Sequence, residues 1–184
     1  FVNIFILRTG VAGAQAPAQN PSYWVTLLDG TTLDGWNTLG NANWKVVDGT
    51  VEATSGSGLL VTPVSYSNFE LIVEVWVDAA ANSGIHIRCS NPANITQSTA
   101  YEVNIFDTRP DPTYATGAIV EVAPPIVPMM AGGKWNTFQI RAEGNHLMVI
   151  VNGTKTVDVR NDKYASGPIG LQHGSGVVKF RNVQ

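Results

Sequence analysis

From Tyr23 to Gln184, apolar and polar positions alternate in short segments broken by turn residues, and the 3.6-residue period of an amphipathic helix is nowhere sustained. Strand-length runs stand out at Phe69 to Val77 (FELIVEVWV), Gly84 to Cys89 (GIHIRC) and Tyr101 to Phe106 (YEVNIF). Trp135 to Ala142 (WNTFQIRA) and Val177 to Val183 (VVKFRNV) add two more. Two hairpins are marked by their turn dipeptides. Trp44 to Val47 and Thr50 to Ala53 flank Asp48-Gly49, and Leu147 to Val151 and Thr154 to Val159 flank Asn152-Gly153. A type I′ turn needs positive φ at both central residues, which Asn, Asp and Gly adopt at least cost. Roughly ten short strands in about 160 residues predict an all-β fold, a two-sheet antiparallel sandwich.

Two regions precede this pattern. Phe1 to Arg8 (FVNIFILR) is apolar almost throughout, and residues 9–22 (TGVAGAQAPAQNPS) have the small, polar, Pro-containing character of a linker. The sequence therefore divides into an N-terminal apolar strand (1–8), a linker (9–22) and a sandwich domain (23–184). Half burial of Phe1, Val2, Ile4, Phe5, Ile6 and Leu7 is worth on the order of 5–9 kcal/mol, so the strand is expected to dock on protein. It is too short for a membrane span, which needs about 20 residues. Apolar side chains on both faces suit a strand inserted into a sandwich. The linker reaches about 46 Å at its fullest, enough to deliver the strand to another subunit. Followed by Ala14-Gln15-Ala16, the same run also fits the tail of a secretory signal peptide cleaved after Ala16. Both readings place the protein outside the cell.

Composition narrows the partners. Charged residues are 14%, and 18 Gly and 10 Pro favour strands joined by tight turns. A net charge of -3 without a basic run argues against nucleic acid. One cysteine, Cys89, leaves no internal disulfide. Asn94-Ile95-Thr96 and Asn152-Gly153-Thr154 fit the glycosylation acceptor pattern, and equally fit ordinary turns. No second His or Cys lies at ligand spacing from His86, so neither a zinc site nor another cofactor is expected.

Leu27-Leu28-Asp29-Gly30-Thr31-Thr32-Leu33-Asp34-Gly35-Trp36 resembles the opening signature of the 3-keto-disaccharide hydrolase family. Further matches follow in order: Gly58 to Thr62 (GLLVT), Asn82 to Ile85 (NSGI), Tyr101 to Ile105 (YEVNI) and Gly133 to Thr137 (GKWNT). Gly167 to Gly174 (GPIGLQHG) and Phe180 to Val183 (FRNV) complete seven strings in register. The resemblance implies the jelly-roll of concanavalin A-like lectins and glucanases, with a sugar site on the concave sheet. It also implies cleavage of glycosides oxidised at the sugar's 3-position. That chemistry needs a base for the proton beside the ketone and a donor that steadies the enolate. Candidates on matching strands are Arg88, Glu102, Asp107 and His173, with Trp36 as a stacking surface and Gln172 as a further substrate contact. Structural roles compete with each. Arg88 and Glu102 suit a cross-sheet pair, Asp107 a turn cap, and His173 a Gly-rich turn; His86 suits a plain strand position. Gly117-Ala118-Ile119-Val120-Glu121 lacks the aromatic residue of the family's corresponding string.

Three functions follow as expectations. The first is a structural subunit of an extracellular homopolymer, built by donating the N-terminal strand head-to-tail into a groove beside a shortened last strand. Lys45, Lys134, Lys155, Lys163 and Lys179 leave room for isopeptide crosslinks in such a polymer. The second is a secreted 3-keto-glycoside hydrolase or lyase, and the third a carbohydrate-binding module.

Overall fold

The structure, a computed structural model, describes residues 24–184. The expected donor strand and linker lie outside the described residues. Twelve strands occur among those residues, with one 3₁₀ turn at Pro112–Tyr114. They are β1 (Asn37–Gly40), β2 (Lys45–Val47), β3 (Thr50–Ala53), β4 (Gly58–Val61), β5 (Phe69–Val77) and β6 (Asn82–Ile87). The rest are β7 (Tyr101–Ile105), β8 (Trp135–Glu143), β9 (His146–Val151), β10 (Thr154–Arg160), β11 (Gly170–Ser175) and β12 (Val178–Arg181). No helix among the described residues is long and apolar enough to cross a membrane.

All pairings are antiparallel, and the strands form the two sheets expected of a sandwich. One sheet has five strands in the order β1-β4-β11-β6-β7, the other seven in the order β10-β9-β8-β5-β12-β3-β2. The hairpin turns form as read: Asp48 and Gly49 have φ of 49° and 75°, and Asn152 and Gly153 of 51° and 80°. Period-two alternation then sorts side chains. Leu71, Val73, Val75 and Val77 of β5 face Ile85, Ile87, Tyr101, Val103 and Ile105 of the other sheet in one buried core.

The groove expected beside the last strand is not there. β12 lies inside the seven-stranded sheet, hydrogen-bonded to β5 on one side and β3 on the other. Beyond it, Val183 bridges to Leu28, and Gln184 exchanges both backbone bonds with Ile72. Backbone groups that a shorter strand would have left open are already paired.

Gly30 explains part of the opening signature. It has φ of 78°, and a Cβ placed on it would lie 2.0 Å from the carbonyl oxygen of Gly49 in the first hairpin turn. Gly153 also has positive φ, yet a Cβ there meets nothing within 4 Å. Gly153→Ala is therefore expected to cost about 1 kcal/mol for its backbone conformation alone. Gly30→Ala adds a backbone clash and should cost about 3 kcal/mol or more. Equal losses for the two variants in urea unfolding would refute the close approach.

Candidate functional site

On the outward face of the five-stranded sheet, the alternation that buries the core leaves a polar patch. Inward-facing Leu171, Ile85, Tyr101 and Val103 alternate with Gln172, Gly84, His86, Glu102 and Asn104 on the opposite face. Register aligns these in two rows across three strands. Gln172, Gly84 and Asn104 form one row; Gly170, His86 and Glu102 form the next. Toward β4 the same face turns apolar, where Leu59 and Val61 pack with Cys89, Ile95 and Ala100. The polar half stays open, forming a cleft of about 410 Å³ lined chiefly by Glu102, Gln172, Asn82, Phe106 and Arg109. Such a volume suits a small sugar.

Gly84 shapes its floor. A Cβ there would lie 3.0 Å from Glu102 Oε1 and 3.3 Å from Gln172 Oε1, so these two oxygens close over a backbone that has no room for a side chain. The polar rows of this face are under-satisfied. Gln172 Oε1, Asn104 Oδ1 and His86 Nδ1 are buried without a hydrogen-bond partner. Buried polar atoms are rarely left so, and a ligand rich in hydroxyls would satisfy them.

Glu102 is the chemically distinctive group. Its carboxyl is 7% exposed, and burial pushes its pKa up to about 7. The positive charge of Arg109 opposes that rise and the carboxylate of Glu121 adds to it. His86, 1% exposed, is driven by burial down to about 4, so at neutral pH it is an uncharged imidazole. Its Nε2 lies 3.8 Å from Glu102 Oε2, too far for a hydrogen bond and too uncharged for an ion pair. A carboxyl poised near neutrality in a cleft is equipped to take and return a proton.

The structure separates the sequence candidates. Glu102 and Gln172 come together over Gly84; the other four lie elsewhere. Register puts His86, not Arg88, opposite Glu102, and Arg88 falls just past the end of β6 with φ of 52°. Its buried guanidinium donates to the carbonyls of Ser67, Gly144 and Tyr164, with a longer contact to Asn68 Oδ1. All five of its N–H groups are thereby spent, and it staples three loops. Asp107 accepts from the Thr116 hydroxyl and from the backbone N–H of Ala131 and Gly132, tying loops together. His173 faces the core, edge-on to Trp44, its Nε2 donating to the Gly176 carbonyl at 3.0 Å. Trp36 packs on the core and its indole N–H donates to the Leu27 carbonyl at 2.8 Å, so it offers no platform at the cleft. Sequence reasoning gave no site role to His86, Asn104 or Arg109. The signal was present in GIHIR and YEVNI, whose alternate positions share one face.

No group of three or more His, Cys, Asp or Glu arranged to hold a metal occurs among the described residues.

The family described as 3-keto-alpha-glucoside-1,2-lyase-like domain matches residues 23–184. Comparison with curated proteins finds no match. Among solved structures, a candidate glycosyl hydrolase of Parabacteroides distasonis is similar at 25% identity and TM-score 0.73, over 88% of this chain and 98% of its own. A second from the same organism has 19% identity and TM-score 0.75, over 85% and 90%. The carbohydrate-binding module CBM66 of Bacillus subtilis has 18% identity and TM-score 0.65, over 81% and 93%.

Two predictions follow from the site. Arg88→Ala orphans three loop carbonyls and should cost about 3 kcal/mol or more in urea unfolding, against almost nothing for a surface arginine. Glu102 has an ordinary value of 4.5 and a folded one near 7, so between these the folded chain keeps a proton that the unfolded chain releases. Its contribution to stability is present below about pH 4.5 and is lost as pH rises toward 7. Glu102→Gln carries no such loss. It should exceed wild type in stability by on the order of 3 kcal/mol at pH 8, the gap closing toward pH 4. A pH-independent gap would show that the carboxyl is not perturbed.

Proposed function

The chain belongs to the 3-keto-alpha-glucoside-1,2-lyase-like family, and we propose that it cleaves glycosides already oxidised to a ketone at sugar carbon 3, with Glu102 as the base. The observation that carries this reading is the buried Glu102 carboxyl, its pKa pushed up to about 7, lining a cleft beside the unpartnered Gln172 Oε1. A ketone at carbon 3 acidifies the hydrogen on carbon 2. Glu102 removes that proton, and the electron pair left behind is delocalised into the ketone as an enolate. Collapse of the enolate forms the C1–C2 double bond and breaks the bond from C1 to the glycosidic oxygen. The leaving oxygen takes a proton, returned by Glu102 or by water. Arg109 supplies positive charge at the cleft wall, where it opposes the build-up of negative charge on the enolate.

Two other readings fare differently. A sugar-binding module uses the same cleft without turnover and finds support in the likeness to CBM66. A self-assembling filament rests on Phe1 to Leu7, outside the described residues, and its expected receiving groove beside β12 is closed. The family match and the cleft favour catalysis.

Release of nitrophenol from a 4-nitrophenyl 3-keto-α-glucoside tests the proposal. Wild type should turn it over, and Glu102→Gln should lose about 10³-fold in kcat. Binding with no turnover by wild type would leave only the module reading. For wild type, kcat/KM should fall tenfold per pH unit below about 7 and level off above it. Arg109→Ala should lose about 10²-fold and move the pH midpoint upward, because the charge that restrains the Glu102 pKa is gone. A midpoint near the ordinary carboxylate value in wild type would exclude Glu102 as the base.

A further inference from the structure

Gln172 is the one member of the outward rows whose amide oxygen flanks Gly84 together with the base. A Cβ on Gly84 would lie 3.0 Å from Glu102 Oε1 and 3.3 Å from Gln172 Oε1, so the two oxygens flank the same glycine. Gln172 Oε1 is buried and has no partner in the protein. It is an acceptor only, and it waits for a donor. A sugar carbon held about 3 Å from Glu102 for proton transfer carries its own hydroxyl within reach of a second acceptor placed at about 2.8 Å from that oxygen. Two acceptor oxygens that flank one glycine can serve one carbon, the base taking its hydrogen and the amide oxygen accepting from its hydroxyl.

Resting on the lyase reading, we propose that Gln172 is the specificity-determining residue for the hydroxyl on the carbon that loses its proton, so that the site takes 2-hydroxy-3-keto sugars and rejects their 2-deoxy counterparts. The physical reason is an asymmetry. A 2-deoxy sugar fills the cleft, excludes water and leaves Gln172 Oε1 orphaned, whereas the 2-hydroxy sugar satisfies it. Gly84 is part of the device, since a side chain there would press on both oxygens.

The test compares 4-nitrophenyl 3-keto-α-glucoside with its 2-deoxy analogue in wild type, Gln172→Leu and Gln172→Met, folding being checked by urea midpoints. Intrinsic reactivity of the two substrates cancels when the rate ratio of a variant is divided by that of wild type. The expected result is that this ratio of ratios shifts by about 10²-fold or more toward the 2-deoxy substrate in both variants. Equal losses on the two substrates would overturn the proposal and leave Gln172 a merely structural residue. A second measurement does not depend on turnover. Calorimetry on Glu102→Gln should show the methyl 3-keto-α-glucoside binding at least tenfold tighter than its 2-deoxy form, with the preference abolished in Glu102→Gln/Gln172→Leu. If that preference holds while wild type shows no turnover, the lyase reading fails and the role of Gln172 in recognition stands. Absence of any binding preference overturns the role of Gln172 whether or not turnover occurs.

Discussion

Ile85, Ile87, Tyr101, Val103 and Ile105 are wholly withdrawn from water between the two sheets, and their burial sets the register of β6 against β7. A slip of β7 by one residue would turn Tyr101, Val103 and Ile105 outward, at a cost of roughly 1.5–3 kcal/mol for each large apolar side chain. The same constraint fixes what lies between them. Gly84, His86, Glu102 and Asn104 hold their places on the outer face because their neighbours cannot leave the inner one. The floor of the cleft is thus held in place by residues that never meet a ligand, and the base is carried on a strand rather than on a loop.

That dependence explains how much could be read from the chain. FELIVEVWV, the Asp48-Gly49 and Asn152-Gly153 turns, and the alternation in YEVNI carry the architecture locally, and the two sheets follow from them. Position on a face is local information too, which is why Glu102 and Gln172 could be named. Long-range partners are not. Arg88 looked like a partner for Glu102 because both lie on adjacent strand patterns. Its true partners, the carbonyls of Ser67, Gly144 and Tyr164, come from three loops whose meeting no pattern announces. His173 is one residue from Gln172, and that single step puts it on the core side. His86 was set aside as a strand filler because no metal spacing accompanied it, although β6–β7 register makes it the neighbour of Glu102.

Burial acts on the two titratable groups of the floor in opposite directions. It raises Glu102 and lowers His86, each toward its uncharged form. At neutral pH the imidazole is uncharged, and the carboxyl, with a pKa of about 7, is only about half ionised. Unpartnered acceptors on such a face suit a carbohydrate, whose hydroxyls offer donors without charge. Arg109 at the rim is placed to answer negative charge as it grows.

β12 follows every other strand in the sequence yet lies between β3 and β5. Until it arrives, the seven-stranded sheet exists as two pieces with unpaired interior edges, one made of β2 and β3 and the other of β5, β8, β9 and β10. During synthesis β12 must therefore emerge before the seven-stranded sheet can close. Those interior edges stay unpaired for that interval, and they are the surfaces through which an unfinished chain would pair with another.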